Sequence, residues 1–590
     1  MPRLTRIASC FLGSLFAYGC ASDSIDFPPP SGAPLPCVAY NAPAAYGPES
    51  RWARPDTVYS PVRAGTASDG GVERCDLTGM AIAVRRQGRF RQIYGPQDGL
   101  PGDDLRGDLE AARALDPLFA RLSKSPVNQP LRIAIVAHGG NSDHDGAVRG
   151  AEALAPAMLF DGLQPVFLIW NSDFMTAYRD RLCCVRDGQR SRAGVEYLAP
   201  ARVIGDLGAS VPRAIENFGR QAFRTHQSSR PNAGSGSRFF LSGEEREMAL
   251  RTLPQGPRRD LIIYPAYPGG PRSYPEFLND RASSPIAAVG AAATLPFRAV
   301  ATSLFSEVGA RAWDNMVRRT RIAFDEPAPD LETKPVGRHC VTPSQGLIER
   351  KLERRDPLTG LLREERGGAF SFFFERLQCE INFGSLRGRD VTVDFYGHSM
   401  GAILGNEALS RYDELPWRRV VYMAAATTVR DFELTGARVI AEEERKQPIQ
   451  FYSLMLHPLT EARESNRGGV VPRGSLLEWI DEMFEGPRSP DDRMFGKWLN
   501  LQRSLRLFND DQLDRMTFRV FPSQETVAAL GPTAAPCVPA PGQRVAPIRC
   551  HPIKHGEFND YTFWRQAYLT GGGDGGVPPP SARTRTFVPR

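Results

Sequence analysis

The chain has 590 residues, 41% hydrophobic and 24% charged, enough apolar material for a sizeable core and too much for wholesale disorder. Its formal charge of +6 is spread over scattered Lys and Arg. No arginine-rich helix or aromatic-interleaved basic patch stands out, so no nucleic-acid partner is expected.

The first residues, "MPRLTRIASCFLGSLFAYGCASDS", have an export pattern. Arg3 and Arg6 precede an apolar stretch, Ile7 to Tyr18, too short to span a bilayer comfortably. "AYGC" then ends at Cys20. The segment resembles a bacterial lipobox, although Ala17 and Tyr18 depart from its usual residues. The expectation is a leader over 1–19 and a lipidated Cys20 holding a soluble domain at the membrane, in the cell envelope; plain secretion is the alternative. Cleavage there removes two arginines and no acid, so +6 becomes +4. Residues 20–50, rich in Pro, Ser and Ala, read as a tether, and 571–590 as a disordered tail. Beyond Cys20 eight cysteines remain, an even number that suits disulfides in an exported chain. Cys537 with Cys550 is one conceivable pair, and the spacings match no zinc pattern.

Between tether and tail the chain alternates apolar strands with amphipathic helices, the pattern of a mostly parallel sheet covered on both faces. Strands are expected at Leu131–Ala137, Val166–Trp170, Val391–Tyr396, Val420–Met423, Ile449–Leu456 and Met516–Phe521. "DLIIYPAYP", from Asp260, is a further short candidate inside an insertion. About 220 residues separate Trp170 from Val391. The chain therefore divides into one domain in two parts, 51–172 and 386–570, around an insertion over 173–385. In an open α/β sheet ligands bind beyond the strands' C-terminal ends, and the insertion is expected to cap that edge. Its apolar stretch at 285–305, interrupted by Pro296 and Arg298, reads as a buried or lid helix, with membrane contact as the alternative.

"DFYGHSMGAILGNE", Asp394 to Glu407, carries the chemistry. A β-branched and aromatic run leads into Gly397-His398-Ser399-Met400-Gly401, and helical spacing follows with Ile403, Leu404, Ala408 and Leu409. G-x-S-x-G between strand and helix presents the serine on a sharp turn. The Met400 N–H, at the helix start, would face a negative oxygen forming above Ser399.

A serine hydroxyl needs a base. Of eight histidines, His398 lies within the turn, four precede it, and His457 directly follows a strand. His555 and His551 remain, both beyond the last core strand. His555 is preferred: Gly556 lends its backbone freedom, and Phe558, Tyr561 and Phe563 can pin the segment. The acid that orients the imidazole is read as Glu461, with Asp431 as the alternative. "AHGGN", Ala137 to Asn141, exposes backbone N–H groups after a strand, so Gly140 is the second oxyanion donor beside Met400.

Together "VAHGGN", "VFLIWNS" and "DFYGHSMGAILGNEAL" resemble the α/β-hydrolase superfamily, in particular its lipase and esterase branch with "HG", "W-x-S" and "GHSMG". The resemblance covers roughly residues 130–175 and 385–565. It implies an α/β-hydrolase fold, Ser399 as nucleophile and His555 as base. It also implies a small-molecule or lipid ester substrate, and no cofactor or metal. His457 and Pro458 stand where relatives often carry aspartate, which leaves the acid open between Glu461 and Asp431. Two other expectations compete with ester hydrolysis: a non-catalytic envelope scaffold on the same fold, and acyl transfer to an alcohol or amine from the same site.

Overall fold

The computed structural model describes residues 75–93, 115–190, 199–210, 295–325, 368–521 and 552–570, with gaps, and short strands at 35–36, 262–263 and 334–341. The leader, Cys20, His551, Cys537, Cys550 and the tail lie outside the described residues. Within the segment read as a tether, Leu35–Pro36 pairs in parallel with Cys75–Asp76.

A nine-stranded sheet organises the molecule. In chain order its strands are β1 (Ala81–Val84), β2 (Phe90–Arg91), β3 (Leu131–Ala137), β4 (Gln164–Trp170), β5 (Ile262–Ile263), β6 (Val391–His398), β7 (Trp417–Met423), β8 (Gln450–Met455) and β9 (Met516–Val520). They lie side by side as β2-β1-β4-β3-β6-β7-β8-β9-β5. Every neighbouring pair is parallel except β1 with β2. This is a mostly parallel α/β sheet, and its central strands are buried on both faces, as their near-continuous Val, Ile, Leu and Phe content requires.

Three elements differ from the sequence reading. β1 is only four residues, "AIAV", too short for periodicity to reveal. β5, expected inside the insertion, is two residues long and pairs with β9 at the sheet edge. Ala369–Asn382, also assigned to the insertion, is a helix of the core: Phe370, Phe373, Phe374 and Leu377 are buried. Phe374 stacks on Tyr412 with ring centroids 5.1 Å apart.

Five helices bear on the site: α1 (His144–Phe160), α2 (Phe174–Arg179), α3 (Leu295–Ile322), α4 (Ala369–Asn382) and α5 (Gly401–Arg411). α3 belongs to the insertion and is anchored to elements that follow strand ends. Asn315 Nδ2 donates to Ala177 O at 2.8 Å, Trp313 Nε1 to Glu485 Oε2 at 2.7 Å and Ser306 Oγ to Met483 O at 2.9 Å. A buried ion pair joins Arg319 to Asp180. α3 therefore lies across the C-terminal edge of the sheet. Cys340 and Cys379 form a disulfide, Cα atoms 6.0 Å apart, that ties the insertion to α4. Among the described residues no helix is long and apolar enough to cross a membrane.

Sheet order positions the site. After β3 the chain moves to β4 on one side, whereas β6 pairs with β3 on the other. A crevice opens where the winding reverses in this way. Register sets Gly397 of β6 opposite Ala137 of β3 and His398 opposite Met423 of β7. The residues leaving β3, β6 and β7 are thus neighbours at the switch point.

Candidate active site

Ser399 follows the last residue of β6 and has φ +51°. Left-handed backbone in a non-glycine residue costs about 1–3 kcal/mol and persists only where the surroundings hold it. Here the Ser399 N–H donates to Met423 O at 2.8 Å, and Ser399 O accepts from Ala426 N at 2.9 Å and Ala402 N at 3.1 Å. Ala424, at the end of the adjacent β7, has φ +44°, so the two such non-glycine residues among those described flank one crevice. Glycine at 401 is a matter of space: a Cβ there would sit 2.4 Å from Ala137 O. The bare backbone lets α5 start against the end of β3, and Met400 stands directly before its first residue. The first N–H groups of a helix have no partner within it, so this start is a ready donor to an anion.

The loop after β3 supplies the facing wall. His138 Nδ1 donates to Gly139 O at 2.7 Å, and His138 Nε2 accepts the Trp170 N–H at 3.1 Å. Ser172 Oγ donates to the same Gly139 O at 3.0 Å. His138 also stacks on Trp170, centroids 3.8 Å apart. Burial lowers the His138 pKa to about 4, so the ring is neutral, as this pattern of one donor and one acceptor nitrogen demands. In a trans peptide the carbonyl and the following N–H point in opposite directions. With Gly139 O drawn to His138 and Ser172, the Gly140 N–H is turned the other way. The "HG" and "W-x-S" stretches, distant in sequence, are one hydrogen-bonded unit that orients a single peptide. The loop is close to the turn: a Cβ on Gly139 would lie 3.3 Å from Ser399 Cβ, and one on Gly140 would lie 2.8 Å from Met400 Sδ.

His555 Nε2 lies 2.9 Å from Ser399 Oγ, with the two residues only 6% and 1% exposed. His555 opens a short helical turn, His555–Asp560. Phe558, Tyr561 and Phe563 are buried; Phe558 packs on Phe521 at 5.8 Å and on His398 at 5.9 Å between centroids. Gly556 has ordinary backbone angles and open space where a side chain would be, so the conformational freedom attributed to it is not used. Burial pushes the His555 imidazole well below its ordinary pKa, with His398 adding to the shift. The ring is neutral at pH 7 and able to take a proton.

The two carboxylates named from sequence are elsewhere. Asp431 is half exposed, 3.5 Å from Arg321 Nη2 of α3. Glu461 is buried and accepts a hydrogen bond from Ser475 Oγ, while its Oε1 has no partner among the described residues. Burial raises its pKa to about 8, against the opposing Ser475 bond, so near neutrality it is largely protonated. Neither bonds to His555. Glu464 does: its Oε2 accepts the His555 backbone N–H at 2.8 Å. Burial raises the Glu464 pKa, a shift that this bond opposes. His555 Nδ1 is buried without a hydrogen-bond partner among the described residues. Sequence reasoning did not single out Glu464, because "TEARE" offers two glutamates three residues apart, and nothing local tells which one turns toward a distant histidine.

Comparison with protein-family models, curated proteins and solved structures finds no match. The geometry must therefore carry the functional reading. Among the described residues no cluster of His, Cys, Asp and Glu could hold a metal ion. What the site does bring together is a hydroxyl, a neutral imidazole in hydrogen-bonding range and backbone N–H groups at two chain turns. Such a set can deprotonate the hydroxyl and stabilise an oxyanion beside it.

Proposed function

We propose that the protein is a serine hydrolase of the α/β-hydrolase type, cleaving a carboxylic ester through an acyl-enzyme. The observation that carries this reading is the 2.9 Å contact of His555 Nε2 with Ser399 Oγ at a strand-to-helix turn of φ +51°. Ser399 Oγ attacks the ester carbonyl carbon while His555 Nε2 takes its proton. The N–H groups of Met400 and Gly140 bind the carbonyl oxygen as it becomes an oxyanion, each contributing roughly 3 kcal/mol. Collapse of the tetrahedral intermediate expels the alkoxide, which the His555 imidazolium protonates. Water then attacks the acyl-enzyme with His555 again as base, releasing the acid and restoring Ser399. Glu464, whose Oε2 holds the His555 backbone N–H, is the acid proposed to offset the imidazolium charge, its other carboxylate oxygen turning to Nδ1 as the ring is protonated. A lipidated Cys20 would hold this domain at the cell envelope, facing a small-molecule or lipid ester.

One observation favours a non-catalytic scaffold instead: among the described residues no acid sits on His555 Nδ1. A chain-length series of p-nitrophenyl esters, run on wild type and Ser399→Ala, decides between them. Wild-type turnover that falls by about 10⁴-fold or more in Ser399→Ala supports the hydrolase. Turnover indifferent to that change, with no fluorophosphonate labelling of Ser399, supports the scaffold.

A further inference from the structure

We propose that His398, inside the G-x-S-x-G turn, is the positioning residue that docks the base-bearing segment onto the nucleophile; the proposal rests on the Ser399–His555 reading above. His398 Nε2 donates to the backbone carbonyl of His555 at 2.8 Å, and both residues are buried. The His555 N–H is meanwhile held by Glu464. The backbone of His555 is therefore gripped at both its polar groups, by His398 at the end of β6 and by Glu464 in the segment that follows β8. This matters because His555 is not on a strand of the sheet; it opens a six-residue turn after the chain has left β9. A base that must stay within hydrogen-bonding reach of a hydroxyl needs its peptide fixed as well as its ring. Misplacement by about 1 Å can cost about a hundredfold in rate.

The ring that provides this grip is itself held. His398 closes β6, adjacent in sequence to Ser399, so any movement of the turn carries the docking point with it. Its other edge faces the loop after β3, where a Cβ on Gly139 would come within 2.6 Å of His398 Nδ1. Burial lowers its pKa to about 4 despite the His555 carbonyl, so the ring is neutral, with its proton on Nε2. One side chain thus touches the nucleophile turn, the base segment and the loop that carries the Gly140 N–H. A histidine placed there only to fill space would not need a donor aimed at a carbonyl, and phenylalanine would serve as well.

That difference sets the experiment. In His398→Gln the amide nitrogen stands near the place of Nε2 and keeps the donor. In His398→Asn the donor is too short, and in His398→Phe it is absent. Crystal structures of the three variants should show the Ser399 Oγ to His555 Nε2 contact kept in His398→Gln and lengthened beyond hydrogen-bonding range in the other two. With a p-nitrophenyl ester, kcat should fall tenfold to a hundredfold in His398→Asn and His398→Phe, with KM within about threefold of wild type, and recover to within a few-fold in His398→Gln. An intact contact in both His398→Asn and His398→Phe overturns the proposal, as does a kcat loss that His398→Gln fails to rescue while folding normally. If His398→Phe does not fold, His398→Asn carries the comparison. A wild type inert to esters and fluorophosphonate would sink the hydrolase reading, yet the crystallographic comparison would still decide the docking role.

Discussion

The Ser399 hydroxyl and the His555 imidazole, 156 positions apart in sequence, meet at 2.9 Å inside a site that is almost closed to solvent. Burial has a direct consequence for the ring. An imidazolium loses hydration there, so the neutral form is favoured. The hydroxyl's partner is therefore in the basic state well into acid, and four tests follow from this and from the contacts around it.

The pH profile comes first. His555 is displaced below the ordinary histidine value of about 6.5. Under the hydrolase reading kcat/KM should stay flat through pH 7 and fall only at pH values below 6.5, where the free enzyme's His555 gains a proton. An acid limb centred at or above 6.5 would mean that a carboxylate already sits on the imidazole in solution, or that another group limits the rate.

The identity of the acid is a comparison of three substitutions. Under the hydrolase reading, Glu464→Gln should lower kcat by about 10²–10⁴-fold, because the imidazolium formed in the transition state would lose its counter-charge. Asp431→Asn, at a surface ion pair with Arg321, should leave kcat within twofold. Glu461→Gln keeps an oxygen to accept from Ser475 and should also leave kcat within a few-fold. A large loss in Glu461→Gln with a small one in Glu464→Gln would reverse the assignment.

Stability against pH tests Glu461 separately. Its folded pKa of about 8 lies above the unfolded value of about 4.3. Between those values the folded state binds more protons than the unfolded one, so this residue's contribution to stability declines as pH rises from about 4.3 to 8. Glu461→Gln, which cannot ionise, should match wild type at about pH 4, below the unfolded pKa, and exceed it increasingly toward pH 8. Urea denaturation midpoints across that range measure it; parallel curves would show that Glu461 ionises normally.

Gly401→Ala tests the turn. A methyl group 2.4 Å from the Ala137 carbonyl oxygen and 3.0 Å from that of His138 meets backbone, with no side chain to swing away. The variant should lose about 1–3 kcal/mol of stability and, under the hydrolase reading, much of any ester turnover, because the turn must shift. The same change at Gly556, where no atom of the described residues lies within 4 Å of the added Cβ, should leave thermal stability within a degree or two. Differential scanning calorimetry of the pair provides the check.

The central strands and the serine turn are legible in the amino-acid pattern alone. Leu131–Ala137 is the strand that its apolar run announces, and the others differ from expectation by a few residues at their ends. Local information suffices for these because a strand buried on both faces must be apolar throughout, and a turn this tight must use glycine. The contact partners were a different matter. His555 could be named by elimination, but its distance from Ser399 depends on the packing of Phe558 against Phe521 and His398. Glu464, rather than Glu461 three residues earlier, reaches the His555 backbone, and Ser172 and His138 share Gly139 O. These choices were made only by tertiary structure. A hydrogen bond between distant segments depends on which way a side chain faces after the sheet has closed, and the residues around a glutamate or serine do not encode that direction.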